Sequence, residues 1–172
     1  PPAKGATGDM LQGMAEALAL RGWEVTILTT AAAGEPKITT RRGVRILRSG
    51  GALSRRHVLL RAASYVFMIP WLMTRALLLP RTDFVVTMTD PPMLVVAGLA
   101  MKFFKRNRVI HWAQDLYPEV AEELGVLPRG NAISNLLRRL STEALMRSDA
   151  VVAIGRCMAS RLWLEESPTR KS

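Results

Sequence analysis

Asp83-Phe-Val-Val-Thr-Met-Thr-Asp-Pro-Pro92 and Val109-Ile-His-Trp-Ala-Gln-Asp-Leu-Tyr-Pro-Glu119 decide the fold. Each opens on a short apolar run of the kind found in buried strands and closes on polar residues and proline. Between them, Pro92 to Phe104 reads as a helix, and prolines suit a helix start because no intrahelical hydrogen bond is lost there. Strand, helix, strand is the parallel βαβ unit. Its polar residues collect at the carboxyl ends of the strands, where open α/β sheets bind ligands.

The same alternation continues outward in both directions. Gly8 to Arg21 has an apolar stripe (Met10, Leu11, Met14, Leu18, Leu20) and a glycine, Gly22, just past its end, which predicts a helix. Glu24 to Thr30, Val44 to Arg48 and Ala150 to Ile154 read as strands, and Ala132 to Met146 and Arg156 to Leu164 as helices. The expected fold is α/β: a single Rossmann-like three-layer α/β/α domain over residues 1–172 with a mostly parallel sheet. Only Pro1 to Lys4 precede the Gly-rich turn, where a doubly wound domain places a hydrophobic strand, and residues 165–172 trail off in polar residues. The sequence therefore reads as a fragment without its first strand.

An apolar fraction of 49% is ample for a buried core in 172 residues. The single cysteine, Cys157, leaves no disulfide framework, and His57 and His111 have no metal-ligand spacing, so no metal site is expected. Pro1-Pro2-Ala3-Lys4 opens directly onto a Gly-rich turn rather than a leader, which fits a reducing, cytoplasmic setting. The net charge of +10 is concentrated: Lys37, Arg41, Arg42, Arg45, Arg48, Arg55, Arg56, Arg61, Arg75 and Arg81 lie in a stretch with no Asp or Glu. A one-signed segment suits phosphate groups or an anionic membrane surface.

Three places carry residues suited to chemistry. Gly5, Ala6, Thr7 and Gly8 form a Gly-rich turn before a helix, able to bring backbone N–H groups to an anion, or simply to cap the helix through Thr7 or Asp9. Thr89 and Asp90 end the first quoted strand; Asp90 either accepts hydrogen bonds from a sugar hydroxyl or caps the helix begun by Pro91 and Pro92. Gln114 and Asp115 emerge at the carboxyl end of the next strand, Tyr117 turns the chain, and Pro118 opens a short acidic helix with Glu119, Glu122 and Glu123. A carboxylate at such an edge orients a sugar hydroxyl or acts as a base near a reacting carbon. The plainer roles are turn anchoring for Asp115 and a solvated helix face for the three glutamates.

Four of these pieces resemble family 4 glycosyltransferases: Gly5-Ala-Thr-Gly8, Arg21-Gly-Trp-Glu-Val-Thr26, Thr89-Asp-Pro-Pro92, and Asp115-Leu-Tyr-Pro-Glu119 with Leu124-Gly-Val-Leu127. The look is that of the bacterial branch that builds exopolysaccharide, O-antigen and capsule, and Ser148 to Leu162 is similar to the last strand and helix of the N-terminal domain there. The resemblance implies the N-terminal, acceptor-side half of a GT-B fold, with a separate C-terminal domain binding a nucleotide-sugar. It also implies retention of anomeric configuration without a required metal, and places Gly5 to Gly8 near the donor diphosphate. Asp115 and Gln114 become the catalytic candidates, and Thr89, Asp90, Tyr117 and Glu119 join the Gly-rich turn in substrate binding. Many relatives carry histidine where this chain has Gln114, so hydrogen bonding at that position survives and proton transfer does not. No cofactor is implied for this domain.

From Ser54 to Pro80 runs a long apolar helix bracketed by arginines, whose uncharged part, Ala62 to Thr74, is too short for the roughly 20 residues that cross a bilayer. A buried crossover helix accounts for its bulk. An in-plane helix with Arg55, Arg56, Arg61, Trp71 and Arg75 at the headgroups is the second reading. With it go a polyprenyl-linked glycan acceptor and a position on the inner face of the plasma membrane. Two other functions are weaker. A nucleotide-dependent oxidoreductase lacks both the third glycine, whose place holds Leu11, and an acid after Thr30. A nucleic-acid-binding module rests on basicity alone, without a recognisable binding motif.

Overall fold

The computed structural model describes residues 6–30, 36–49, 58–123, 125, 127, 128 and 130–166. The chain divides into two compact units, Pro1–Ala76 and Leu77–Ser172.

In the first unit, α1 (Ala6–Leu20) leads into β1 (Val25–Thr30), followed by β2 (Ile38–Arg41) and β3 (Val44–Ser49). Gly22, at φ +86°, ends α1. Its N–H reaches the Ala19 carbonyl and that of Trp23 reaches Leu18, the paired closure that a left-handed residue permits. The sheet order is β1-β3-β2, with β1 and β3 parallel and β2 antiparallel to β3. Arg42 and Gly43, both at positive φ, make the two-residue turn between β2 and β3. Neither β2 nor this hairpin is among the sequence expectations. Ala15 of α1 packs on Ile27, Val44 and Ile46, with Leu11, Ala19 and Val25 at the margin.

The basic stretch is less one-sided than its sequence. Arg48 is 7% exposed and bonds the Pro36 carbonyl and the Thr39 hydroxyl. Arg42 pairs with Glu16 on α1 at 2.7 Å. Lys37, Arg41 and Arg45 remain exposed. The long helix α2 (Val58–Leu78) contains Pro70. Met68 and Leu72, one turn apart, are buried, whereas Phe67 and Trp71 are exposed. Among the described residues, no helix is long and apolar enough to cross a membrane.

The second unit is an all-parallel sheet in the order β4-β5-β6: β4 (Phe84–Met88), β5 (Arg108–Ala113) and β6 (Ala150–Ala153). Helices intervene: α3 (Leu94–Lys105), the five-residue α4 (Glu119–Glu123), α5 (Ala132–Arg147) and, last, α6 (Arg156–Glu166). This is the expected α/β class, helices alternating with strands. Val95, Gly98 and Met101 form the buried stripe of α3. Ala113, Leu145 and Leu162 tie β5 to α5 and α6, with Leu116, Val151, Ala153 and Met158 packed against them. Asp149 holds the entrance to β6: its carboxylate accepts from Val109 N–H at 2.7 Å and pairs with Lys102 at 2.9 Å. These partners hold its carboxyl below the usual range, the Val109 amide foremost.

The start of α3 corrects one expectation. Asp90 does not cap it: the N-cap position belongs to Met93, in a left-handed conformation and without a side-chain cap. Pro91 and Pro92 form the turn before the helix instead of its first residues.

Candidate functional site

The site is built at the carboxyl ends of β4 and β5, which run parallel with Thr87 opposite His111 and Met88 opposite Trp112. Each strand exits through a cis-proline peptide, Asp90–Pro91 after β4 and Tyr117–Pro118 after β5. The two exits are tied together. Thr89 is buried, and its hydroxyl accepts from the Gln114 N–H at 3.2 Å, so the chain leaving β4 fixes the backbone just before Asp115. One strand position deeper, the Thr87 hydroxyl lies 2.9 Å from His111 Nδ1, with both side chains buried. Burial pushes the His111 imidazole down to about 4, so it is neutral at physiological pH.

Above this pair opens a pocket bordered by Thr89, His111, Asp115, Tyr117 and Glu119, with Ser141, Leu145 and Leu162 behind. Asp115 is exposed at its mouth. Gln114 is partly buried, and its Nε2 is shielded from solvent with no hydrogen-bond partner among the described residues. Burying an amide donor without a partner is costly, so this N–H is suited to a ligand oxygen.

The three glutamates divide. Glu123 is exposed, as expected for a solvated face. Glu119 and Glu122 are not solvated carboxylates: both pair with Arg138 of α5. Both Glu122 oxygens lie 3.1 Å from Arg138 Nη2, and Glu122 also accepts the Ser134 hydroxyl. Glu119 thus borders the pocket with its charge already compensated by Arg138, whereas Asp115 is exposed. Among the described residues, no three His, Cys, Asp or Glu side chains gather closely enough to hold a metal ion.

Six of the sequence-derived candidates, Thr89, Asp90, Gln114, Asp115, Tyr117 and Glu119, therefore meet at one sheet edge of the second unit. Ala6, Thr7 and Gly8 belong to the first unit and lie in the first turn of α1, which starts two residues earlier than expected. Gly5, Arg55 and Arg56 fall outside the described residues, as does the side chain of Arg61. Trp71 and Arg75 are exposed on α2. Sequence reasoning missed His111 as a site residue because it was weighed only as a metal ligand. It also missed Arg138, which is 16 positions from Glu122 and carries no motif.

Residues 5–165 match the family model described as a glycosyl transferase 4-like domain. No curated protein matches the chain.

Proposed function

The chain belongs to the glycosyl transferase 4-like family, and from that premise we propose that it is the acceptor-side half of a retaining GT-B enzyme. In this reading it passes a hexose from a nucleotide-sugar to a lipid-linked glycan during cell-surface polysaccharide synthesis. The observation that supports the proposal is the convergence of Thr89, Asp115 and Tyr117 on one pocket at the carboxyl edge of a parallel sheet, next to Gln114.

The chemistry follows from the residue types. Asp115, exposed at the pocket mouth, accepts a hydrogen bond from the acceptor hydroxyl and orients its oxygen toward the anomeric carbon. The oxygen–carbon bond forms as the bond to the nucleotide diphosphate breaks, the diphosphate departs with the bonding electron pair, and the hydroxyl proton passes to the Asp115 carboxylate. Gln114 neither gains nor loses a proton in the neutral range, so it holds a sugar hydroxyl without taking part in proton transfer. The first-turn N–H groups of α1, at Ala6, Thr7 and Gly8, are the candidate contacts for the donor diphosphate. The exposed Phe67 and Trp71, with Arg75 one turn on, support an in-plane contact of α2 with the inner leaflet.

Asp115→Asn in the full enzyme tests the central claim. Transfer, followed by mass spectrometry across a panel of nucleotide-sugars, is expected to fall by roughly 10²–10⁴-fold. Transfer at the unmodified rate would rule out this role. Flotation with neutral and anionic vesicles tests the membrane contact, since equal recovery with both would remove its electrostatic part.

A further inference from the structure

His111 is the buried polar group at this edge that the proposed mechanism does not use. Its Nδ1 faces the Thr87 hydroxyl across the strand pair. The Thr87 hydroxyl makes no other hydrogen bond among the described residues. If Nδ1–H were the donor, the Thr87 proton would be buried without an acceptor, at a cost of about 1–3 kcal/mol. If Thr87 donates, its proton and the Nδ1 lone pair satisfy each other, and the imidazole proton sits on Nε2. Nε2 lies on the ring edge away from Thr87, and His111 borders the pocket that Asp115 and Tyr117 share. The free space there is about 20 Å³. A water or a single hydroxyl needs roughly 10–15 Å³, so one such group is accommodated beside the ring.

We propose that His111 is a recognition residue: fixed by Thr87 in the Nε2–H tautomer, it offers that N–H to the pocket. There it binds one water in the resting protein and one acceptor hydroxyl in the complex. The hydroxyl half of this statement rests on the proposed function; the tautomer and the water do not. The titratable groups bordering the same pocket are Asp115, Tyr117 and Glu119, and Glu119 is committed to Arg138 on α5. Burial outweighs these carboxylates and keeps the ring neutral, so the donor persists across the physiological range.

The chain has two histidines, so His57→Asn leaves a single imidazole to observe. Long-range ¹⁵N correlation spectra of that variant are expected to show Nδ1 unprotonated, Nε2 protonated and neither moving between pH 5.5 and 8. The opposite tautomer, or titration near pH 6.5, would overturn the assignment. In the full enzyme, His111→Asn is expected to raise the acceptor KM about ten- to hundredfold, leaving the donor KM unchanged. His111→Gln, whose amide N–H reaches the Nε2 position, should recover most of that loss. Equal losses in the Asn and Gln variants would reduce His111 to a packing residue. Absence of sugar transfer with every donor would count against the proposed function, while the tautomer spectrum still decides the resting-state assignment.

Discussion

Gly98 sits where α3 presses on the two strands that carry the site. A Cβ at this position would lie 2.8 Å from Thr87 Cγ2 and 3.1 Å from Val109 Cγ1. Both obstructing side chains are β-branched, with little freedom to rotate away. Alanine normally gains about 0.5–1 kcal/mol over glycine inside a helix. Overpacking a filled interior costs about 1–3 kcal/mol, and here the steric term wins. Gly98→Ala is therefore expected to lower the Tm by roughly 2–8 °C, read by calorimetry. Because the nearer clash is with Thr87, the same variant should also disturb the His111 resonances. An unchanged Tm and an unchanged imidazole spectrum would mean that α3 shifts freely.

Five residues are too few for an independent helix, so α4 depends on what clamps it. Arg138 on α5 supplies that clamp through Glu119 and Glu122, and the Glu122 side chain is only 10% exposed. Replacing Arg138 by Met keeps the length and removes the charge, leaving Glu122 with Ser134 as its partner. The expected cost is about 1–3 kcal/mol, because a mostly buried carboxylate loses its cation. Asn131, whose side chain accepts from Ser134 N–H at 2.7 Å as the cap of α5, should cost about 1 kcal/mol as Ala. Denaturant midpoints of the two variants test the order, and a harmless Arg138→Met would show that α4 is held by packing alone.

β4, β5 and β6 are readable because each is a short apolar run between polar turns, although only β5 is largely buried and Phe84, Val86 and Val152 are exposed. β2 is four residues, Ile-Thr-Thr-Arg, at the edge of its sheet, and its mostly exposed side chains leave no apolar run to detect. Asp115 is legible as a site residue because the end of a buried strand places it there. The Arg138 clamp is not, since only the packing of α5 against α4 brings a solvent-type residue to those carboxylates. Asp90 misled for a local reason: Pro91 and Pro92 read as helix residues, yet the helix begins after Met93.

Across the molecule, groups with depressed pKa values shape the response to acid. His111 is held well below its ordinary value of 6.5, at about 4, by burial. A group whose folded pKa is depressed makes the unfolded chain the stronger proton binder. Its stabilising contribution is therefore whole above pH 6.5 and drains away as pH falls toward 4. For a histidine displaced this far, the loss is roughly 3 kcal/mol, a large share of a typical domain's stability. Glu16, lowered chiefly by Arg42, and Asp149, lowered chiefly by the Val109 amide, lose their contributions only below the ordinary carboxylate range. Two acid phases should thus be separable in urea unfolding measured at a series of pH values: one between about 6.5 and 4 from the second unit, and one below 4 involving both. His111→Gln cannot titrate and should flatten the first phase while leaving the second. If the slope between pH 6.5 and 4 survives in that variant, another group carries it, and the buried neutral imidazole is not what makes this fold acid-sensitive.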